Sequence, residues 1–133
     1  MMQSSSLRED KTMVNSPSIQ QIQEGVRAAL EAVMGDSSPE MLDEMSTIFL
    51  EDAVPLIEQI KAGFAAHDFK AITIAAHTLK GSSATIGLAT LADLCLAIEA
   101  SSKAEEINGM GSSITNLEAA YSRVDKALRH FLL

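Results

Sequence analysis

The chain has few aromatic residues and only one cysteine, residue types on which many folds outside the all-α class depend. Only 4% of its 133 residues are aromatic and tryptophan is absent, so aliphatic and methionine side chains must build the core. This composition favours helices over a sheet, because strands are enriched in aromatic and β-branched residues. A single cysteine, Cys95, excludes an internal disulfide and suits a reducing, cytoplasmic compartment.

Basic residues are also scarce: 10 Lys and Arg stand against 18 Asp and Glu, for a formal net charge of -8. A surface of this sign repels a phosphate backbone, so we expect no nucleic-acid partner. No apolar run is long enough to span a bilayer and no signal-peptide pattern is present, so we expect no membrane insertion. The length suits one domain with one core.

A polar segment precedes the periodic part of the chain. Residues 1–16 are rich in serine and lack periodicity, which predicts a flexible leader or an interdomain linker. Residues 17–133 carry apolar side chains every three or four positions, the spacing of amphipathic helices, and no segment alternates like a strand. We therefore predict an all-α domain: an antiparallel four-helix bundle with an additional N-terminal helix.

Capping residues and breakers place the first two helices. The first is predicted to open at Pro17 and to stop at Gly35. The second is predicted from Pro39 to Ala66 behind a Ser38 cap, bent but unbroken at Pro55. The apolar stripes expected to pack are Ile19, Ile22, Val26, Ala29 and Val33, then Met41, Met45, Ile48, Phe49, Leu56, Ile60 and Phe64.

Three further helices follow. Asp68 is predicted to cap the third, which runs to about Ile86, and Gly87 supplies a left-handed stop. A fourth helix precedes a loop at 108–113, and a fifth follows that loop. The apolar faces of the last two helices are Leu91, Leu94, Cys95 and Ile98, then Ile114, Leu117, Tyr121, Val124, Leu128 and Phe131.

The third helix carries an unusual polar stretch, His-Thr-Leu-Lys-Gly-Ser-Ser-Ala-Thr-Ile-Gly at 77–87. At about 100° per residue, His77, Lys80, Gly81 and Ala84 share one quadrant, away from the apolar stripe. An imidazole there is open to react, and the lysine one turn on is placed to neutralise an anion carried on the ring. The bare glycine lets another protein approach.

This stretch resembles the active-site signature of histidine-containing phosphotransfer (HPt) domains: His-x-x-Lys-Gly, small residues, and a glycine six positions on. His77, Lys80, Gly81 and Gly87 match it, and the resemblance extends over roughly residues 39–103. It implies a phosphorelay carrier that accepts a phosphoryl group on His77 from a receiver-domain aspartate. The carrier then passes the group to another receiver domain in two-component signalling.

The resemblance also implies roles for other residues. Glu99, 22 positions after the histidine, corresponds to the side chain that accepts a hydrogen bond from Nδ1 and orients the ring. Lys80 and Lys103 would neutralise the phosphate, and Gly87 is structural. The residues expected to line the docking surface are Ala76, Gly81, Ala84 and Leu88.

The implied partners are response-regulator receiver domains, with a hybrid sensor histidine kinase as a further candidate. The resemblance places magnesium on the receiver and no metal or other cofactor in this chain. It implies no autonomous kinase activity, and we expect a monomer because the site must stay exposed. The sequence fits both a free-standing protein and the terminal module of a hybrid kinase.

Two other classes of function compete with the relay. The first is an HPt-fold docking or regulatory module that binds a partner without obligatory phosphotransfer; loss of His77 would stop a relay but leave such binding intact. The second is an enzyme, either a metal-dependent hydrolase or an autokinase. The chain has no Gly-rich nucleotide loop, and His67, His130 and Cys95 share no metal-ligand spacing with His77, so this class is disfavoured.

Overall fold

The computed structural model describes residues 16–133, which form five α-helices and no strand. The all-α prediction is confirmed. The predicted leader at 1–16 lies, apart from Ser16, outside the described residues. The helices are α1 (Ile19–Met34), α2 (Pro39–Ala66), α3 (Phe69–Thr85), α4 (Ala89–Lys103) and α5 (Met110–Arg129).

The first helix begins later than predicted. Ser18, not Pro17, is its boundary, because the Ser18 hydroxyl accepts a hydrogen bond from the Gln21 backbone N–H. The Gln21 side chain in turn accepts from the Ser18 N–H, which completes a capping box. The helix ends at Gly35, whose φ of 66° is the predicted left-handed stop.

The second helix has the predicted bounds. The Ser38 hydroxyl accepts from the Met41 N–H and Pro39 occupies the first turn, so the start is fixed locally. The helix continues through Pro55, and the Pro55 side chain is exposed to solvent. His67 ends it in a left-handed conformation, with φ 54°.

The prediction of a loop at 108–113 was wrong for its last four residues, 110–113. Helix α5 begins at Met110, directly after Gly109, which has a φ of 84°. The glycine and two serines at 111–113 are weak helix formers, and this suggested a loop. Burial of Met110 and Ile114, one turn apart, overrides that local preference.

Cross-helix contacts show that α3 and α4 run antiparallel. Thr73 of α3 contacts Ser102 of α4, whereas His77, one turn later on α3, contacts Glu99, earlier on α4. Helices α2 to α5 close the bundle, and α1 packs outside it on α5. There Gln23 donates a hydrogen bond to the Ala127 carbonyl, and the Arg27 guanidinium lies 5.1 Å from the centre of the Phe131 ring.

Most of the predicted stripe residues are buried and form one core. Eight others are half-buried, and two, Val33 and Ile48, are exposed, so the last turn of α1 and that side of α2 face solvent. The largest fully buried side chains are Leu30, Ile60, Ile72, Leu79, Leu91, Ile98, Met110, Leu117 and Leu128.

The turn between α3 and α4 is held tightly against α1. Gly87 has a φ of 79°, as its predicted structural role requires. A methyl group on Gly87 would also collide with the Gly25 carbonyl oxygen and the Ala29 side chain. This contact, together with the antiparallel pairing of α3 and α4, fixes the two helices that carry the polar cluster described next.

Candidate functional site

His77 lies in the middle of α3 with 67% of its side chain exposed. Helix α3 presents its buried residues to the bundle on one side and the imidazole on the other, as the helical spacing predicted. The Nδ1 atom lies 3.0 Å from Oε2 of Glu99 on α4. The Nε2 edge of the ring is therefore the edge left for another reactant.

Glu99 is the centre of the cluster. Only 4% of its side chain is exposed, yet it contacts three groups that carry or donate protons. The Lys80 ammonium is 2.6 Å from Oε1, and the Lys103 ammonium is 3.2 Å from Oε2, the same oxygen that meets the His77 ring. A buried carboxylate is tolerated here because both of its oxygens are paired.

These contacts keep Glu99 ionised. The hydrogen bond from Lys80, with smaller contributions from Lys103 and His77, lowers the pKa of the Glu99 carboxyl from 4.5 to about 2, although burial acts in the opposite direction. A carboxylate has no proton to donate, so the short contact with His77 requires a proton on Nδ1. A neutral ring of this tautomer carries its lone pair on Nε2.

A second polar link holds the two helices in register one turn away. The Thr73 hydroxyl donates to Ser102 Oγ at 2.9 Å, and the Ser102 hydroxyl donates to the Phe69 carbonyl at 2.7 Å. Ser102 is fully buried and lies three residues after Glu99, on the inner side of α4. Sequence reasoning missed Ser102; a serine one turn from the ring-orienting residue was the available signal.

The surface around His77 is small and apolar. Gly81 is exposed, and apart from its chain neighbours and the backbone of its own helix no atom lies within 4 Å of where its Cβ would be, so the fold itself does not require a glycine there. Ala84 is exposed one turn farther on. Ile74 precedes His77 by one turn with 56% exposure, and Leu96 precedes Glu99 by one turn with 50% exposure.

Two residues predicted to line the docking surface are buried instead. Ala76 is fully buried and Leu88 is 4% exposed, so neither side chain is available to a partner. Ala76 lies about 100° from His77 on the side that packs against the bundle, and Leu88 anchors the turn before α4. The large apolar side chains that are exposed on these two helices, one turn before His77 and one turn before Glu99, are Ile74 and Leu96, and the sequence reasoning missed both.

Both lysines predicted to neutralise a phosphate lie beside the ring, but in this structure each is paired with Glu99. The two lysines differ in exposure to solvent: 28% of the Lys80 side chain is exposed, and 64% of the Lys103 side chain is exposed. Within residues 16–133 no group of three or more His, Cys, Asp or Glu side chains is arranged to hold a metal ion.

Comparison with known proteins assigns the family. The Hpt domain model matches residues 44–127, which include the whole polar cluster and most of the chain. The chain belongs to the Hpt domain family. This membership supports a role as a phosphotransfer carrier in general terms, and members of the family interact with receiver domains of two-component systems.

Individual relatives of this Hpt chain come from plants and bacteria. It is 25% identical to histidine-containing phosphotransfer protein 2 of Arabidopsis thaliana over 103 residues, 75% of this chain and 66% of that protein. It is 26% identical to histidine-containing phosphotransfer protein 4 of the same plant, over 77% of this chain and 82% of that one. The aligned region is thus just under two thirds of the first relative.

A solved structure is similar to this Hpt chain in fold. The crystal structure of histidine-containing phosphotransfer protein B from Pseudomonas aeruginosa PAO1 superposes with a TM-score of 0.63 and 28% sequence identity. The match covers 79% of this chain and 88% of the bacterial one. Among the described helices, none combines the length and the hydropathy that a membrane crossing demands.

Proposed function

We propose that this Hpt chain is a phosphorelay carrier in two-component signal transduction. In this proposal, His77 accepts a phosphoryl group from the aspartate of one receiver domain and passes it to the aspartate of another. A hybrid sensor histidine kinase is a further candidate partner. A cytoplasmic location and a monomeric state are predictions that belong to the same proposal.

The observation that carries this proposal is the pairing of an exposed imidazole with a buried, ionised carboxylate. The Glu99 contact directs the Nδ1 proton inward, so the nucleophilic Nε2 faces the side from which a partner would come. A purely structural histidine in an ion cluster would not need two thirds of its side chain exposed.

The surroundings of the ring fit a protein partner better than a small substrate. Ile74, Gly81, Ala84 and Leu96 lie on the two helices that carry His77 and Glu99, and all four are exposed. Exposed residues of this small or apolar kind suit a transient contact, which a relay needs in order to release each receiver. The receiver would supply its aspartate and a magnesium ion, so this chain has only to position the nucleophile.

The proposal is tested by transfer of labelled phosphate from a panel of phosphorylated receiver domains. The wild-type chain is compared with His77→Gln, and with His67→Gln and His130→Gln as matched controls, since all three histidines are exposed. We expect acid-labile, alkali-stable label on the wild type and on both controls, and none on His77→Gln.

Two results would contradict the proposal. Equal labelling of His77→Gln and the wild type would place the phosphate elsewhere. Binding of receivers by the folded wild type, without label from any of them, would leave a docking module that shares the fold.

A further inference from the structure

The ion cluster has a consequence for the second half of the relay, in which the phosphoryl group leaves His77. This inference rests on the proposed function. The relevant facts are that Glu99 is buried, ionised and hydrogen-bonded to Nδ1, on the edge of the ring opposite the nucleophilic nitrogen.

The first half-reaction requires no proton to move. The Nε2 lone pair attacks phosphorus, an N–P bond forms, and the P–O bond to the receiver aspartate breaks with its electron pair going to the carboxylate. Nδ1 keeps its proton, so the phosphorylated ring carries a positive charge beside the Glu99 carboxylate. Because Glu99 is already paired with two ammonium groups, it does not compete for this proton.

The return step depends on that same proton. When the next receiver aspartate attacks phosphorus, the N–P bond breaks and its electron pair returns to Nε2. If Nδ1 is still protonated, the ring departs as neutral imidazole; if the proton has been lost, it must depart as imidazolate, a far poorer leaving group. We propose that Glu99 is a positioning residue that keeps the Nδ1 proton on phosphorylated His77, so that onward transfer always releases a neutral ring.

A glutamate and a glutamine at position 99 differ mainly in charge. A glutamine would accept the same hydrogen bond but would not stabilise a cationic ring. It would also leave two ammonium groups, Lys80 from α3 and Lys103 from α4, without a counter-charge, and both disfavour a proton on Nδ1. From α2, the other helix packed on α3, no described residue forms an ion pair with this cluster.

The test compares onward transfer from phosphorylated wild type, Glu99→Gln and Glu118→Gln. Glu118 is a matched control, because it is also an ion-paired carboxylate but contacts Lys61 between α2 and α5, away from the ring. Each purified phosphoprotein is mixed with the same receiver at a series of pH values, and each rate is divided by the wild-type rate to remove the receiver's own pH dependence. Glu99→Asp, which keeps the charge, is the rescue variant.

We expect the Glu99→Gln ratio to fall with rising pH, by about tenfold per pH unit once the unassisted ring loses its proton. The Glu118→Gln ratio should stay level, and Glu99→Asp should lie closer to the wild type than to Glu99→Gln. Nitrogen NMR of the phosphorylated ring should show Nδ1 protonated to higher pH in the wild type than in Glu99→Gln.

A Glu99→Gln ratio independent of pH, with the same Nδ1 protonation as in the wild type, would overturn the inference while leaving the relay intact. Failure of the proposed function itself would be visible earlier, since wild-type His77 would then acquire no phosphate from any receiver.

Discussion

At the scale of single residues, Gly81 is a position where the effect of a side chain on folding can be measured apart from its effect on docking. Its position has open space around it, so nothing in the fold excludes a side chain. A glycine inside a helix is less stable than alanine by roughly 0.5–1 kcal/mol. The packing of the fold therefore gives no reason for a glycine at this exposed site, one turn after His77, and its role in docking stays a prediction.

Substitution of Gly81 tests this division. We expect Gly81→Ala to raise the free energy of unfolding by up to about 1 kcal/mol, measured by urea denaturation. We expect Gly81→Leu to remain folded but to raise the KM for phosphotransfer from a receiver, because the added bulk lies under the partner. Ala97→Leu is the control, since Ala97 is exposed but lies about 200° around α4 from Glu99.

An unchanged KM for Gly81→Leu would remove Gly81 from the docking surface. A fall in stability for Gly81→Ala would show that the space beside it is smaller than the structure indicates.

The ionised state of Glu99 leads to a further prediction at this scale, about how the free energy of unfolding depends on pH. Its folded-state pKa of about 2 lies below the ordinary 4.5. The ionised carboxylate therefore stabilises the fold fully above about pH 4.5, and this contribution is lost as pH falls towards 2. We expect the stability difference between wild type and Glu99→Gln to shrink as pH is lowered through this window, as followed by urea denaturation.

A difference that stays constant from about pH 6 to pH 2.5 would mean that Glu99 is not held ionised by its neighbours. The Glu118→Gln variant provides the baseline for removal of an exposed carboxylate from the opposite side of the bundle.

The residues of the site were predicted unequally well. Helical spacing placed His77, Lys80, Gly81 and Ala84 on one side of α3, because 100° per residue is a local rule. Helical spacing could not show that Ala76 is buried and Ile74 exposed, since each lies within about 100° of His77. Only the neighbouring helices decide which of the two side chains is covered. Resemblance to the family led to Glu99, but only the structure shows both lysines bound to its carboxylate.

At the scale of helices, local signals gave most of the boundaries. Ser38 followed by Pro39 marked the start of α2, and Gly35 marked the end of α1, because caps act through nearby backbone groups. The start of α5 was missed, since burial of Met110 against the bundle decides it and no local pattern reports that burial.

The turn between α3 and α4 gives a test at the same scale. Gly87 and Gly35 both have positive φ, but only Gly87 has atoms of another helix where its side chain would be. We expect Gly35→Ala to lower the unfolding free energy by about 1 kcal/mol from backbone strain alone. Gly87→Ala should lower it by clearly more, because α1 must also move away; thermal and urea unfolding measure both.

If both variants lose the same free energy of unfolding, α1 can move away from Gly87 without loss of stability. The tight contact between Gly25 and Gly87 would then have no role in holding the turn. A larger loss for Gly35→Ala would contradict the packing of α1 described here.

For the whole molecule, periodicity and composition were enough to predict the class and the number of helices. They show which side of each helix is apolar, but not which neighbour covers it, so the packing of α1 on α5 could not be predicted. The arrangement matters for function: α1 lies on α5, while the pairing of α3 with α4 leaves His77 open to a partner.

The most direct test of the account follows phosphate through His77 in both directions. Wild-type chain is phosphorylated by one receiver, freed of it, and mixed with a second, unphosphorylated receiver and magnesium but no other donor. The account predicts that label disappears from His77 as an equal amount appears on the second receiver's aspartate, and that His77→Gln carries none. Release of the label as inorganic phosphate without gain by any receiver, or equal relay by His77→Gln, would contradict it.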